Sequence, residues 1–120
     1  MSQFEVTSGL QDGIPILRVK GYYEKPAGQK VAEAAATFWN DRKYHLVLDL
    51  SQCDILSSPG VSTIVELACD LADNYSGKLV ICGLDKLKEK VLTLVGIQGM
   101  AELVPTVNEA VATARKLQGS

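Results

Sequence analysis

The residues best placed for chemistry are Ser57-Ser58-Pro59-Gly60. Two adjacent hydroxyls stand there at the expected start of a helix. The first N–H groups of a helix lack intrahelical acceptors, and the dipole makes that end positive. An anion or a phosphate can therefore seat there. Ser58 is expected to be the N-cap, its hydroxyl accepting a free N–H of the first turn. Pro59 then takes the first helical position, where its missing N–H costs nothing and its fixed φ suits a helix. Ser58 is the first candidate for phosphorylation and Ser57 the second. A phosphate on Ser58 adds about −1.5 to −2 charges and is expected to meet the N–H groups of Gly60, Val61 and Ser62. A plainer reading stands beside this one: a Ser-Pro pair opening a helix needs no reason beyond capping.

Other chemistries find less support. A covalent nucleophile needs a base, but His45 is the only histidine and no G-x-S-x-G elbow surrounds either serine. Asp49 and Asp54 could suggest a metal or an acid pair, yet no ligand cluster accompanies them. Asp49 is expected to end a strand and bond loop amides, and Asp54 to be solvated. The glycine-containing loops match neither nucleotide fingerprint. Cys53, Cys69 and Cys82 lack C-x-x-C spacing and read as buried free thiols of a reducing compartment. The expectation is a non-enzymatic protein with no metal and no cofactor. Tyr22, Tyr23 and Trp39 offer either an exposed aromatic patch for a partner or ordinary packing.

The elements that must position the serines follow from periodicity. His45-Leu46-Val47-Leu48-Asp49-Leu50 is a nearly unbroken apolar run, as in a strand buried on both faces. A short loop, 51–56, leads into a helix whose Val61, Ile64, Val65, Ala68, Leu71, Ala72 and Tyr75 form one apolar face. Ser76-Gly77 ends it, with the glycine at a left-handed cap. Upstream, 4–8 and 14–20 flank an Asp12-Gly13 turn and read as a hairpin. A loop from Gly21 to Gly28 leads to an alanine-rich helix reaching Asn40. Downstream, 79–82 is another buried strand. Asp85 caps a helix with Leu87, Val91, Leu94 and Val95 on its inward face, closed by Gly96. A short strand at 102–104 precedes the capping box Thr106-Val107-Asn108-Glu109. The last helix turns Val107, Ala110, Val111, Ala114 and Leu117 inward. The order ββαβαβαβα means an α/β fold: a mostly parallel central sheet, an N-terminal antiparallel hairpin and about four helices. In such sheets the working site lies beyond the carboxyl ends of the strands, where Ser57 and Ser58 fall.

With 120 residues, 47% of them hydrophobic, the chain is expected to be one domain over 1–120 with a real core. A net charge of −2, with basic residues scattered apart from Lys86, Lys88 and Lys90, argues against a nucleic-acid surface. No basic-then-apolar signal opens the sequence, and no apolar run approaches the ~20 residues that span a bilayer. A cytoplasmic protein without membrane insertion is expected.

Val47-Leu48-Asp49-Leu50-Ser51, followed by the serine pair and Gly60, resembles the STAS domain. That is the fold of bacterial anti-sigma-factor antagonists and of the cytoplasmic tails of sulfate transporters. Gly77-Lys78-Leu79-Val80-Ile81-Cys82-Gly83, then Val91 to Ile97, then Val104-Pro105-Thr106-Val107-Asn108-Glu109-Ala110, extend the resemblance over nearly the whole chain. It implies a STAS fold of the free-standing antagonist type. It also implies a partner, an anti-sigma factor of serine-protein kinase type, met through Ser57, Ser58, Pro59, Gly60, Val61, Ser62 and the helix that follows. In that family phosphorylation of a serine in an Asp-Ser-Ser-Gly motif breaks the complex, and a phosphatase restores it. Here the motif departs. With Gly60 matched to its glycine, Ser57 takes the aspartate position, Ser58 the first serine, and Pro59 the second serine, the usual phosphate acceptor. Gly21-Tyr22-Tyr23-Glu24 is what stands for the customary Gly-x-hydrophobic-acid pattern. The implied function is a partner-switch module without its usual acceptor. The alternatives are a constitutive STAS subunit of a stressosome or transporter complex, or a small-molecule or nucleotide-binding STAS domain. A homo-oligomer is open to either.

Overall fold

Uncharged runs of leucine and β-branched residues make the middle of the sheet. In the computed structural model, which describes residues 3–119, β3 (His45–Asp49) and β5 (Lys78–Cys82) are buried from their second residues onward. They pair in parallel with each other. The hairpin of β1 (Phe4–Gln11) and β2 (Ile14–Tyr23) turns at Asp12-Gly13, both at positive φ. β6 (Ala101–Val104) lies beyond β5, so the sheet reads β1-β2-β3-β5-β6, with β1 its antiparallel member.

Strand parity sorts the core into two layers. Leu46, Leu48, Leu79 and Ile81 face α1 (Lys25–Trp39) and α2 (Ser58–Tyr75), with Leu92 of α3 (Lys86–Leu94) in the same cluster. Val47, Val80 and Cys82 meet Ala110, Val111 and Ala114 of α4 (Val107–Gln118) on the other side. Burial on both faces is why these strands read as continuous apolar runs instead of alternating. The mostly parallel α/β sheet with an N-terminal antiparallel hairpin and four helices is thus the fold the chain adopts. Asp85 and Thr106 cap α3 and α4 as expected, accepting from the N–H groups of Lys88 and Glu109 at 2.8 and 3.2 Å. No helix among the described residues is long and apolar enough to cross a membrane.

Several local expectations are corrected. The stretch 51–56 is not all loop: Cys53–Leu56 forms β4, pairing in parallel with β2 at Gly21, Tyr22 and Tyr23, beyond the Ile16–Arg18 stretch that pairs with β3. β2 therefore runs on to Tyr23, and α1 starts at Lys25, with Pro26 in its first turn where a missing donor is harmless. The left-handed residue closing α2 is Ser76, at φ 53°, not Gly77. Gly77 answers a different need, because a Cβ there would run into the Tyr44 carbonyl. On α2 the buried face takes Leu67, while Val65 is only half-buried and Ala72 is exposed. α3 differs most. Its buried residue is Leu92, whereas Leu87, Leu94 and Val95 are 72%, 76% and 49% exposed. The Asp85–Lys88 ion pair, at 2.6 Å, holds Lys88 against the cap with its side chain only 12% exposed. Lys88 and Leu92, one turn apart, thereby become the inner side of the helix.

Candidate functional site

The site begins where β3 ends. Asp49 is buried; its carboxylate accepts from the Ser51 N–H at 3.0 Å and pairs with Arg18 Nε at 3.3 Å. The aspartate thus bonds a loop amide, as its place at a strand end implied. Asp54 is exposed. β4 then carries the chain alongside β2 to the start of α2.

There the tail of β2 sets the geometry. The Tyr23 carbonyl accepts from the Ser57 N–H at 3.1 Å and from the Ser57 hydroxyl at 3.2 Å. The same Ser57 Oγ accepts from the Gly60 N–H at 3.1 Å. Ser57, not Ser58, is therefore the N-cap of α2; Ser58 and Pro59 are its first and second residues. A single carbonyl, fixed by the β2–β4 pairing, decides between two adjacent serines. Gly60 lies flat against that strand end, where a Cβ would run into the Tyr23 carbonyl.

This arrangement changes what the helix start can hold. The Gly60 N–H is taken by Ser57 Oγ, the Val61 N–H by the Ser57 carbonyl at 2.9 Å, and Pro59 has none. The amides expected to cradle a phosphate on Ser58 are therefore already engaged at 60 and 61. What remains is the positive end of the helix dipole and a nearby ammonium. Ser58 opens on a groove of about 550 Å³ that it shares with Lys25, Gln29, Pro59, Ser62 and Glu66. Of the six residues assigned to partner contact, Ser58, Pro59 and Ser62 are exposed, Ser57 is half-buried, and Gly60 and Val61 are buried.

The other candidates lie elsewhere. His45 sits half-buried at the amino end of β3, and burial lowers its pKa. Cys53 and Cys82 are buried and free. Burial, then the Asp49 charge, pushes the Cys82 thiol up to about 12, and burial also raises Cys53. Among the described residues no group of three or more His, Cys, Asp or Glu comes together as metal ligands do. Tyr22, Tyr23 and Trp39 do not form one aromatic patch: Tyr23 is in the core, and Trp39 lies against Tyr75 at 4.6 Å. Lys25 was missed by sequence reasoning, although Pro26 marks a first helical turn and so places its neighbour at the helix start.

The STAS domain family model matches residues 7–110. Among solved structures, an anti-sigma factor antagonist from Mycobacterium paratuberculosis superposes with a TM-score of 0.76 at 20% identity, covering 93% of this chain and 94% of that one. RsbS of Moorella thermoacetica gives 0.79 at 17% identity, over 96% and 98% of the two chains. The Bacillus cell fate determinant SpoIIAA, in its phosphorylated form, gives 0.68 at 14% identity, over 92% and 97%. At these identities the likeness is one of fold. Comparison with curated protein sequences yields no match.

Proposed function

The chain belongs to the STAS domain family, and from that premise we propose that it is a non-enzymatic, protein-binding regulator of the anti-sigma-factor-antagonist kind, held in its binding-competent form. Its partner is an anti-sigma factor of serine-protein kinase type, met in the cytoplasm. Ser58, Pro59 and Ser62 make the contact over the groove at the start of α2, while Ser57, Gly60 and Val61 hold that start in shape.

The observation that carries this reading is the state of the hydroxyls at the start of α2. By the resemblance, Pro59 takes the family's acceptor position, and it has no hydroxyl to phosphorylate. The Ser57 hydroxyl both donates and accepts within the cap, and a phosphate there would remove the proton it donates to the Tyr23 carbonyl and set its oxygens against that carbonyl. Of the adjacent serine pair, Ser58 is the one whose hydroxyl makes no hydrogen bond among the described residues, one position before the acceptor that the resemblance implies. Phosphorylation releases a partner by adding about −1.5 to −2 charges where it must dock; a domain without the acceptor stays docked.

The test pairs wild type with Pro59→Ser, which rebuilds the acceptor. Each is incubated with the kinase-type partner and ATP, phosphate incorporation is followed by mass spectrometry, and binding by calorimetry. Wild type is expected to bind and remain unmodified, and Pro59→Ser to be modified and released. Efficient modification of wild type at Ser57 or Ser58 defeats the proposal. Binding by wild type with neither form modified would instead assign the protein to a constitutive subunit of a larger assembly.

A further inference from the structure

We propose that a second copy of this chain docks its α3 onto the α1–α2 face of the first, building a head-to-tail assembly. Two separate surfaces point to each other. On α3, Leu87 and Leu94 are seven residues apart on one side of the helix, at 72% and 76% exposure, with Val95 beside them at 49%. Lys86 and Lys90 flank this stripe, both exposed and neither in an ion pair among the described residues. The surface is apolar in its middle and cationic at its rim.

The α1–α2 face is the reverse. The outer side of α2 carries Glu66, Asp70 and Asp73, all exposed and none ion-paired among the described residues. The helix contains no lysine or arginine. Like charges at these spacings repel, and Asp73 lies in the last turn, against the negative end of the dipole. Among the described residues no ion pair offsets that repulsion; the nearest cation on this face is Lys25, at the far end beside Glu66. Beside the acids, between the two helices, is a cleft of about 120 Å³ with Ala32, Trp39 and Leu67 at its apolar part and Gln29, Thr63, Glu66 and Asp70 around it. Trp39 Nε1 is buried with no hydrogen-bond partner. An apolar cleft rimmed by carboxylates complements a leucine stripe rimmed by ammonium groups.

The two patches differ, so the contact is heterologous, and repetition gives rings or filaments instead of a closed two-fold dimer. Asp70 lies about 18 Å along α2 from Ser58, and the cleft adjoins the partner groove proposed above, sharing Gln29, Thr63 and Glu66 with it.

Sedimentation velocity of the full chain over a concentration series, at low and high ionic strength, tests this. Wild type is expected to associate with rising concentration, and less so at high salt. Leu87→Asp with Leu94→Asp disables α3; Asp70→Lys with Asp73→Lys disables the α2 face. All four positions face solvent, and circular dichroism with a thermal melt verifies that both variants fold. Each variant alone is expected to be monomeric. Mixed, they are expected to form a 1:1 complex and stop there, because the first retains the α2 face and the second retains α3. Monomeric wild type at every concentration overturns the proposal, as does association that either variant leaves intact, or failure of the mixed variants to pair. Monomeric wild type that floats with phosphatidylserine vesicles also overturns it and makes α3 a lipid-facing surface.

Discussion

Ser57→Ala isolates the geometry of the site. The substitution removes an oxygen that accepts from the Gly60 N–H at 3.1 Å and donates to the Tyr23 carbonyl at 3.2 Å. The carbonyl keeps the Ser57 N–H at 3.1 Å and is not orphaned. The Gly60 N–H is the real loss, since Gly60 is buried and water cannot readily replace the hydroxyl. Replacing an N-cap serine by alanine costs about 0.5–2 kcal/mol. Burial puts this cap in the upper half of that range, about 1–2 kcal/mol. For 120 residues, an unfolding entropy of about 2.1 cal/mol/K per residue means a melting point lower by about 4–8 °C. In urea the midpoint should fall with the slope unchanged, because removing a cap hardly alters the surface exposed on unfolding. Ser58→Ala, at an exposed position with no capping bond, should stay within about 0.5 kcal/mol of wild type. The reasoning is refuted if Ser57→Ala costs less than about 0.5 kcal/mol while Ser58→Ala costs as much or more.

Gly60→Ala would stabilise an open helix by about 1 kcal/mol; here its Cβ meets the Tyr23 carbonyl, so a net loss of about 1–3 kcal/mol is expected in urea, and a gain would refute the close approach. Ile64→Ala, at a fully buried position of α2, should cost about 2–5 kcal/mol, and retained stability would show that the wrong face had been placed inward. The thiol of Cys82 is raised from 9.0 to about 12, chiefly by burial. The native protein therefore binds more protons than the unfolded chain in that interval, and this contribution to stability is complete below pH 9 and lost as pH rises toward 12. Urea midpoints at stepped alkaline pH should fall over that window, and Cys82 should be alkylated far more slowly in native than in denatured protein at pH near 9.

Much of the architecture was local information. The unbroken apolar runs of β3 and β5 require burial on both faces, and that in turn requires helices above and below. Asp12-Gly13 dictates a tight turn, while Asp85 and Thr106 announce their helices because a cap needs only a side chain and amides within three residues. α4 was readable for a similar reason: with a single sheet face to cover, its inward residues follow one period. The sequence motif and the ending Val104 to Ala110 carried the family as well.

Other features rest on contacts between distant segments. β4 is four residues long with half its side chains exposed; it exists because β2 continues past β3 and offers unpaired backbone groups there. The choice of Ser57 over Ser58 depends on one carbonyl from a strand 34 residues earlier, and two adjacent serines carry no local signal to separate them. By periodicity alone α3 would turn Leu87, Val91, Leu94 and Val95 inward. The pairing of Asp85 with Lys88 and the insertion of Leu92 choose the rotation that leaves Leu87 and Leu94 in solvent. Periodicity determines that a helix has an apolar side, but only the surrounding elements decide which side is covered, because burial is a property of the neighbours and not of the residue.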